Sequence, residues 1–339
     1  MRLKTCFLFL LILVLVGSCA VSGAEKNSAS IDSCGLRGWN LENGWQYVIM
    51  GYYPYEKDGT KAPVLWQVLA VENGKALLYT TYIIDAHQPV ECGDVKASKN
   101  GKYRYITDYG ETDLNVWLNN VMIKDLLEDE PVLAAVTEEK YGFLYPLTDS
   151  EMMTEAYGFT DQRFYEVRSR WAYATPYTKA KRLYPEIKNY FNPVQVDRKH
   201  GTSSYWVAQV KYPGEQNHYL QICAGISDTK PGDNRGTNIG HLSYGMLTRA
   251  TVGLRLALRL DVSRIQVISG NGSIWDPCRL AYVKDKTAEQ KEVLTPPLRS
   301  GPTPVPTTPA PVKGRPVLET PGPDVTPVPV PAWAKEGAE

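Results

Sequence analysis

Apolar positions along the chain sort it into strands first and helices second. Residues 45 to 53 (WQYVIMGYY) read as a strand, with Trp45, Tyr47 and Ile49 on one face and Gln46, Val48 and Met50 on the other. Both faces are largely apolar, so burial on both sides is expected. Residues 63 to 71 (PVLWQVLAV) and 75 to 84 (KALLYTTYII) are rich in β-branched, aromatic and large apolar side chains and read as two more strands. Glu72-Asn73-Gly74 separates them, and Asn-Gly supplies the positive φ angles of a tight hairpin turn. In the segment DLNVWLNNVMIKDLL, Thr112 is placed to cap a helix whose apolar face is Leu114, Trp117, Leu118 and Val121. A short strand is expected at 143–147. Thr148 or Asp149 then caps a helix to about Ala156, and another short helix is expected at 178–183. Later strands fall at 204–210, 218–224 and 251–260. The polar, glycine-rich stretch 228–245 (DTKPGDNRGTNIGHLSYG) reads as a long loop, the kind of segment that carries sites on a rigid scaffold.

The ends of the chain are different material. Arg2 and Lys4 precede an uninterrupted apolar run, residues 6 to 16 (CFLFLLILVLV). Eleven residues are too few for a permanent spanning helix, which needs about 20, and the layout fits an export signal. Gly17-Ser18 directly before Cys19 resembles the lipobox of bacterial lipoproteins. That resemblance implies a diacylglyceryl group on the Cys19 sulfur and cleavage before it, and Ala20 in the next position tilts a Gram-negative reading towards the outer membrane. Ordinary signal cleavage at Ser18-x-Ala20 or Ser22-x-Ala24 is the alternative. From about Leu294 the chain is rich in Pro and Thr and poor in large apolar groups, so it is expected to be a disordered spacer with polyproline-II bias. The expected organisation is a signal peptide over 1–18, a linker over 19–35, one globular domain over 36–290 and a tail over 291–339.

Charge and cysteines narrow the function classes. Lys plus Arg equals Asp plus Glu at 37 each, so there is no basic excess to neutralise phosphates, and nucleic acid is not an expected partner. The 22 Tyr and 8 Trp suit a β-rich fold with aromatic surfaces. Cys34, Cys92, Cys223 and Cys278 allow three disulfide pairings. Cys34–Cys278 would clamp the ends of the domain and leave Cys92–Cys223, with buried thiols as the alternative. The four histidines (His87, His200, His218, His241) show no metal-ligand spacing, and no Gly-x-Ser-x-Gly or P-loop occurs. No metal or cofactor is expected. Asp85 and His87 could form an acid–base pair, but a polar turn after a strand is the expected reading.

Taken in order, LWQVLAVENGKALLYTTYII, DLNVWLNN, FLYPLTDSEM, ATPYTKA, SSYWVAQVKYPG and TVGLRLALRL resemble a DUF6273-type domain over residues 45–261. The resemblance implies an α+β, C-type-lectin-like fold: a twisted antiparallel sheet with flanking helices and long ligand-facing loops, shared with formylglycine-generating and sulfatase-modifying domains. It lends no general activity. The chain departs from the family at the Trp-Trp-Leu-Arg-Ser-Pro-Gly strand, where Tyr205-Trp206 and Pro213-Gly214 remain but the Arg-Ser does not. It departs again at Leu256, where the family has Pro. Gln88-Pro89-Val90 lacks the calcium-lectin pattern, and Cys223 and Cys278 are too far apart in sequence to resemble the copper-binding pair of formylglycine-generating enzymes. Trp66, Trp117 and Arg255 are expected to be structural, Arg255 through a buried hydrogen-bond network. The candidate ligand-binding residues are Trp206, Tyr212, Asp228, Asp233, Asn234, Arg235, Asn238 and His241.

These observations lead to an expected lipoprotein, anchored at the bacterial envelope through Cys19. Its lectin-like domain would bind a glycan, a cell-wall fragment or a protein. An enzyme acting on envelope polymers or resembling sulfatase-modifying proteins is one alternative. A purely structural envelope protein is the other.

Overall fold

The computed structural model describes residues 34–87, 89, 106–128, 130–164, 167–181, 194–211, 219–226, 239–246 and 252–284. The leader, Cys19, Cys92, Tyr212, Asp228, Asp233, Asn234, Arg235, Asn238 and the Pro/Thr-rich segment lie outside the described residues.

Strands β1 (Gln46–Pro54), β2 (Lys61–Glu72) and β3 (Lys75–Thr80) form an antiparallel meander. The β2–β3 turn has Asn73 at φ 52° and Gly74 at φ 74°, the conformation the Asn-Gly pair favours. Gln46, Val48 and Met50 of β1 are buried, while Tyr47 and Ile49 are only partly covered, so the expected double burial holds on one face. A register break between Ile49 and Tyr52 bends β1 at Gly51, whose φ is +73°. A Cβ there would stand 2.4 Å from the Leu126 carbonyl oxygen, so glycine satisfies both the angle and the close approach.

The helix capped by Thr112 is one continuous stretch in three parts. α1 (Asp113–Trp117) passes into a π-helical segment, Leu118–Met122, and then into α2 (Ile123–Leu127). The wider π turn changes which positions face inward. Leu114, Leu118, Met122 and Leu126 are buried, and Val121, expected on the apolar face, is 43% exposed. After the short β4 (Asp85–Ala86) and β5 (Val136–Thr137), residues 143–147 form no strand; they meet sheet residues through a Tyr145–Ala257 bridge and through the Ala208 amide, which donates to the Leu147 carbonyl at 2.9 Å. α3 (Asp149–Met152) starts at a Thr148 capping box and ends earlier than expected, and α4 (Pro176–Ala180) starts at Thr175.

The remaining strands are β6 (Tyr205–Lys211), β7 (Tyr219–Cys223), β8 (Leu242–Met246), β9 (Gly253–Leu254), β10 (Ala257–Asp261), β11 (Ile265–Ser269) and β12 (Cys278–Tyr282). The architecture is α+β, with few short helices and two sheets instead of one. A seven-stranded sheet has the order β11-β12-β1-β2-β3-β10-β5, and a five-stranded sheet has β4-β9-β6-β7-β8. Neither is purely antiparallel, because β1–β12 and β6–β9 pair in parallel.

The single strand expected at 251–260 is divided between the sheets. β9 pairs with β4 and β6, and β10 pairs with β3 and β5. The crossing at Arg255-Leu256 is fastened to Thr80. The Leu256 amide donates to Thr80 Oγ1 at 2.9 Å, and the Thr80 amide donates to the Leu256 carbonyl at 2.8 Å. No helix among the described residues is long and apolar enough to cross a membrane.

Candidate functional site

An open cleft of about 210 Å³ lies between the 139–145 turn, the start of α3 and strand β10. Glu139, Lys140, Tyr141, Tyr145, Thr148, Ser150, Glu151 and Arg259 line it. Its walls are built from local rules plus one long-range brace. Glu139 and Gly142 close the turn by exchanging backbone hydrogen bonds at 3.0 Å in both directions. Gly142 has φ +95°, and a Cβ there would stand 2.4 Å from the Asn119 side chain. That side chain holds the turn to the helix. Asn119 Oδ1 accepts from the Phe143 amide at 2.7 Å and the Leu144 amide at 3.0 Å, while Nδ2 donates to the carbonyls of Tyr141 at 3.0 Å and Leu144 at 3.1 Å.

The floor is a set of paired charges. Arg259 reaches Glu151 at 3.3 Å and Glu72 at 3.4 Å. Glu151 Oε2 accepts from the Thr148 amide at 2.9 Å and the Thr148 hydroxyl at 2.8 Å. Its Oε1 accepts from Tyr145 at 3.2 Å besides Arg259. All four acceptor sites of that carboxylate are therefore engaged. Burial pushes the Glu139 carboxyl up, but hydrogen bonds from Lys75 and Thr137 outweigh it and hold the group below the usual glutamate range. Lys140 bonds Asp108 at 2.9 Å and the Tyr141 hydroxyl at 2.8 Å. The cleft thus offers fixed donors and acceptors with balanced charge, and neither of its carboxylates is placed as a free base. It is smaller than the roughly 300–1,000 Å³ of pockets that enclose a drug-sized ligand, so it suits one unit or one end of a larger molecule.

Those sequence-chosen candidates that are described, Trp206, His241, Asp85 and His87, do not line this cleft. Trp206 is fully buried, with Nε1 donating to the His87 carbonyl at 3.1 Å. A ring so placed offers no face to a ligand from solvent, which corrects the expected stacking role. His241 is half-buried immediately before β8, its ring 5.3 Å from that of Phe164. The expected loop ends as a strand, since β8 takes up Leu242–Met246. Asp85 is fully buried and is occupied by the Tyr53 hydroxyl at 2.5 Å and by Lys181 at 2.6 Å, while the His87 ring stacks on Trp117 at 4.4 Å.

The cysteines and the structural residues are placed as follows. No disulfide joins Cys34, Cys223 and Cys278, so the expected Cys34–Cys278 bond is absent. The Cys278 sulfur instead accepts from Gln46 Nε2 at 3.3 Å, and the same amide donates to the Gly35 carbonyl. Trp66 is buried with Nε1 on the Met50 carbonyl at 2.8 Å. Arg255 donates to the Thr80 carbonyl at 2.7 Å and to Gln67 at 2.5 Å, with its guanidinium 4.1 Å from the Tyr79 ring centre.

The cleft residues escaped notice although several belong to motifs read above. FLYPLTDSEM contains Tyr145, Thr148, Ser150 and Glu151, and TVGLRLALRL contains Arg259. Their convergence spans more than a hundred positions and has no local periodicity. No family model, curated protein or solved structure matches this chain.

Proposed function

We infer that the chain is an envelope-anchored lipoprotein whose domain, of C-type-lectin-like architecture and DUF6273 type, binds a glycan, a cell-wall fragment or a protein. Anchorage is supported by the basic head, the short apolar run and the Gly17-Ser18-Cys19 sequence. The observation that carries the binding reading is the cleft itself. Its polar groups are pre-oriented by the capping box and by Asn119, and Glu151 has no lone pair left for proton transfer. That arrangement favours recognition over the enzymatic alternative.

Two measurements on the membrane-extracted chain test the reading. Intact-mass analysis is expected to show acyl groups on Cys19 at a new N-terminus. Screening on glycan, cell-wall and envelope-protein arrays is expected to give binding that Ser150→Trp abolishes, because Ser150 is exposed on the cleft wall and an indole there fills it. Binding that survives Ser150→Trp would place the site elsewhere. An unmodified Cys19 with the leader still attached would remove the anchored reading.

A further inference from the structure

We propose that one end of the seven-stranded sheet is a membrane-contact face, in which Leu41, Ile268 and Trp275 seat the domain on the phospholipid surface that holds its anchor. The proposal rests on the anchored reading above.

Among the described residues these are the three most exposed large apolar side chains, at 90% for Leu41, 64% for Ile268 and 63% for Trp275. They are far apart in sequence, and the sheet register brings them to one end. β1 and β12 run parallel with Val48 opposite Cys278, so both strands begin at the same end. Leu41 is in the turn just before β1, and Trp275 is in the loop just before β12. Ile268 sits at the bulge where β11 reaches that loop, since the register breaks between Val267 and Ser269.

Both turns are braced. Asn40 and Gly44 bridge across the first, and Arg37 donates to the Gly44 carbonyl at 2.9 Å. In the second, the Asn271 and Gly272 amides donate to the Asp276 carbonyl at 3.1 and 3.0 Å, and the Tyr47 amide ties Gly272 to β1 at 2.8 Å. The backbone that carries these apolar side chains is therefore fixed, and all three stand exposed at one end of the sheet.

The route of the chain identifies what covers them. The Val267 amide donates to the Cys34 carbonyl at 2.9 Å, so the chain enters the fold beside Ile268, at this same end. Cys19 lies fifteen positions earlier, a reach of about 50 Å at full extension. β12 runs away from this end, and the Val283 amide bonds the Arg264 carbonyl at the far end of the hairpin. Cys34, the first described residue, thus lies at the apolar end, while the described chain leaves at the other end through Val283. Trp favours the bilayer interface, and Leu and Ile favour the acyl boundary beneath it. The ligand cleft sits by β5 and β10, towards the opposite edge of the sheet from β11, and stays open in this placement.

The test uses the acylated full chain in vesicles of phosphatidylethanolamine and phosphatidylglycerol carrying brominated acyl chains, which quench indoles at short range. Wild-type fluorescence is expected to contain a quenched fraction that is lost in Trp275→Phe and reduced in Leu41→Ser/Ile268→Ser. All three positions are exposed, so far-UV circular dichroism should be unchanged. Equal quenching in wild type and Trp275→Phe, with acyl groups verified by mass, overturns the contact face and leaves the anchored reading intact. Absence of acyl groups on Cys19 overturns both.

Discussion

Single side chains hold parts of this fold that no local pattern specifies. Asn119 sits in mid-helix, where a polar residue reads as solvent-facing, yet it hydrogen-bonds both amides and both carbonyls that fix the 141–144 turn. Asn119→Ala removes these bonds and strands part-buried backbone groups. At about 1 kcal/mol for each of the four bonds, with further cost for unpaired partners, urea unfolding should show a loss of at least about 4 kcal/mol. Two buried arginines make a contrasting pair. Arg170 donates to the carbonyls of Met152, Thr160, Gln162 and Gly240, whereas Arg255 leaves its buried Nη1 without a partner. Arg170→Met orphans four acceptors, and Arg255→Met removes a charge that is already poorly compensated. Urea midpoints should therefore fall much further for Arg170→Met than for Arg255→Met, and the reverse order would refute this account of the two sites.

Elements with local chemical signals were legible. The Asn73-Gly74 hairpin, the Thr112 cap and the Thr148 capping box all follow from residues within four positions of one another. The π-helical turn was not legible, because the 114-117-118-121 spacing fits an ordinary helix and the buried face depends on what α1 and α2 pack against. The cleft turn adds a pH-dependent contact between elements. Lys75 at the start of β3 bonds Glu139 at 2.6 Å and holds its carboxyl below the ordinary value of 4.5. A carboxyl whose folded pKa is depressed contributes stability that is complete above the unfolded value and is lost as pH falls through the folded one. Acidification from neutral pH to below about 4 should thus lower the urea midpoint of wild type more than that of Lys75→Met. Equal acid sensitivity in the two proteins would show that the contact contributes nothing.

At the scale of the whole molecule, the sheets are joined where the chain crosses from β9 to β10 at Arg255-Leu256, and the interior around that crossing contains a thiol. Burial pushes Cys223 up to about 11, and Cys278 is raised for the same leading reason. Cys34, Cys223 and Cys278 are exposed by no more than 2%. Thiol-specific reagents at neutral pH should label these three only as fast as the domain opens, so labelling rates should rise with urea in parallel with unfolding. Rapid labelling of folded protein, mapped to any of them by peptide mass, would contradict this packing.

The chain's own order of residues determined the Asn-Gly hairpin, the helix caps and the strands β1, β2, β3, β6 and β7, because each depends on neighbours a few positions apart. Tertiary structure alone decided that Trp206 is core, that one apolar run serves two sheets, that the π turn rotates Val121 outward, and that Arg259 meets Glu151. Those outcomes depend on which surfaces exclude water together and which buried polar groups find partners, and contacts across a hundred positions leave no periodic trace in the sequence.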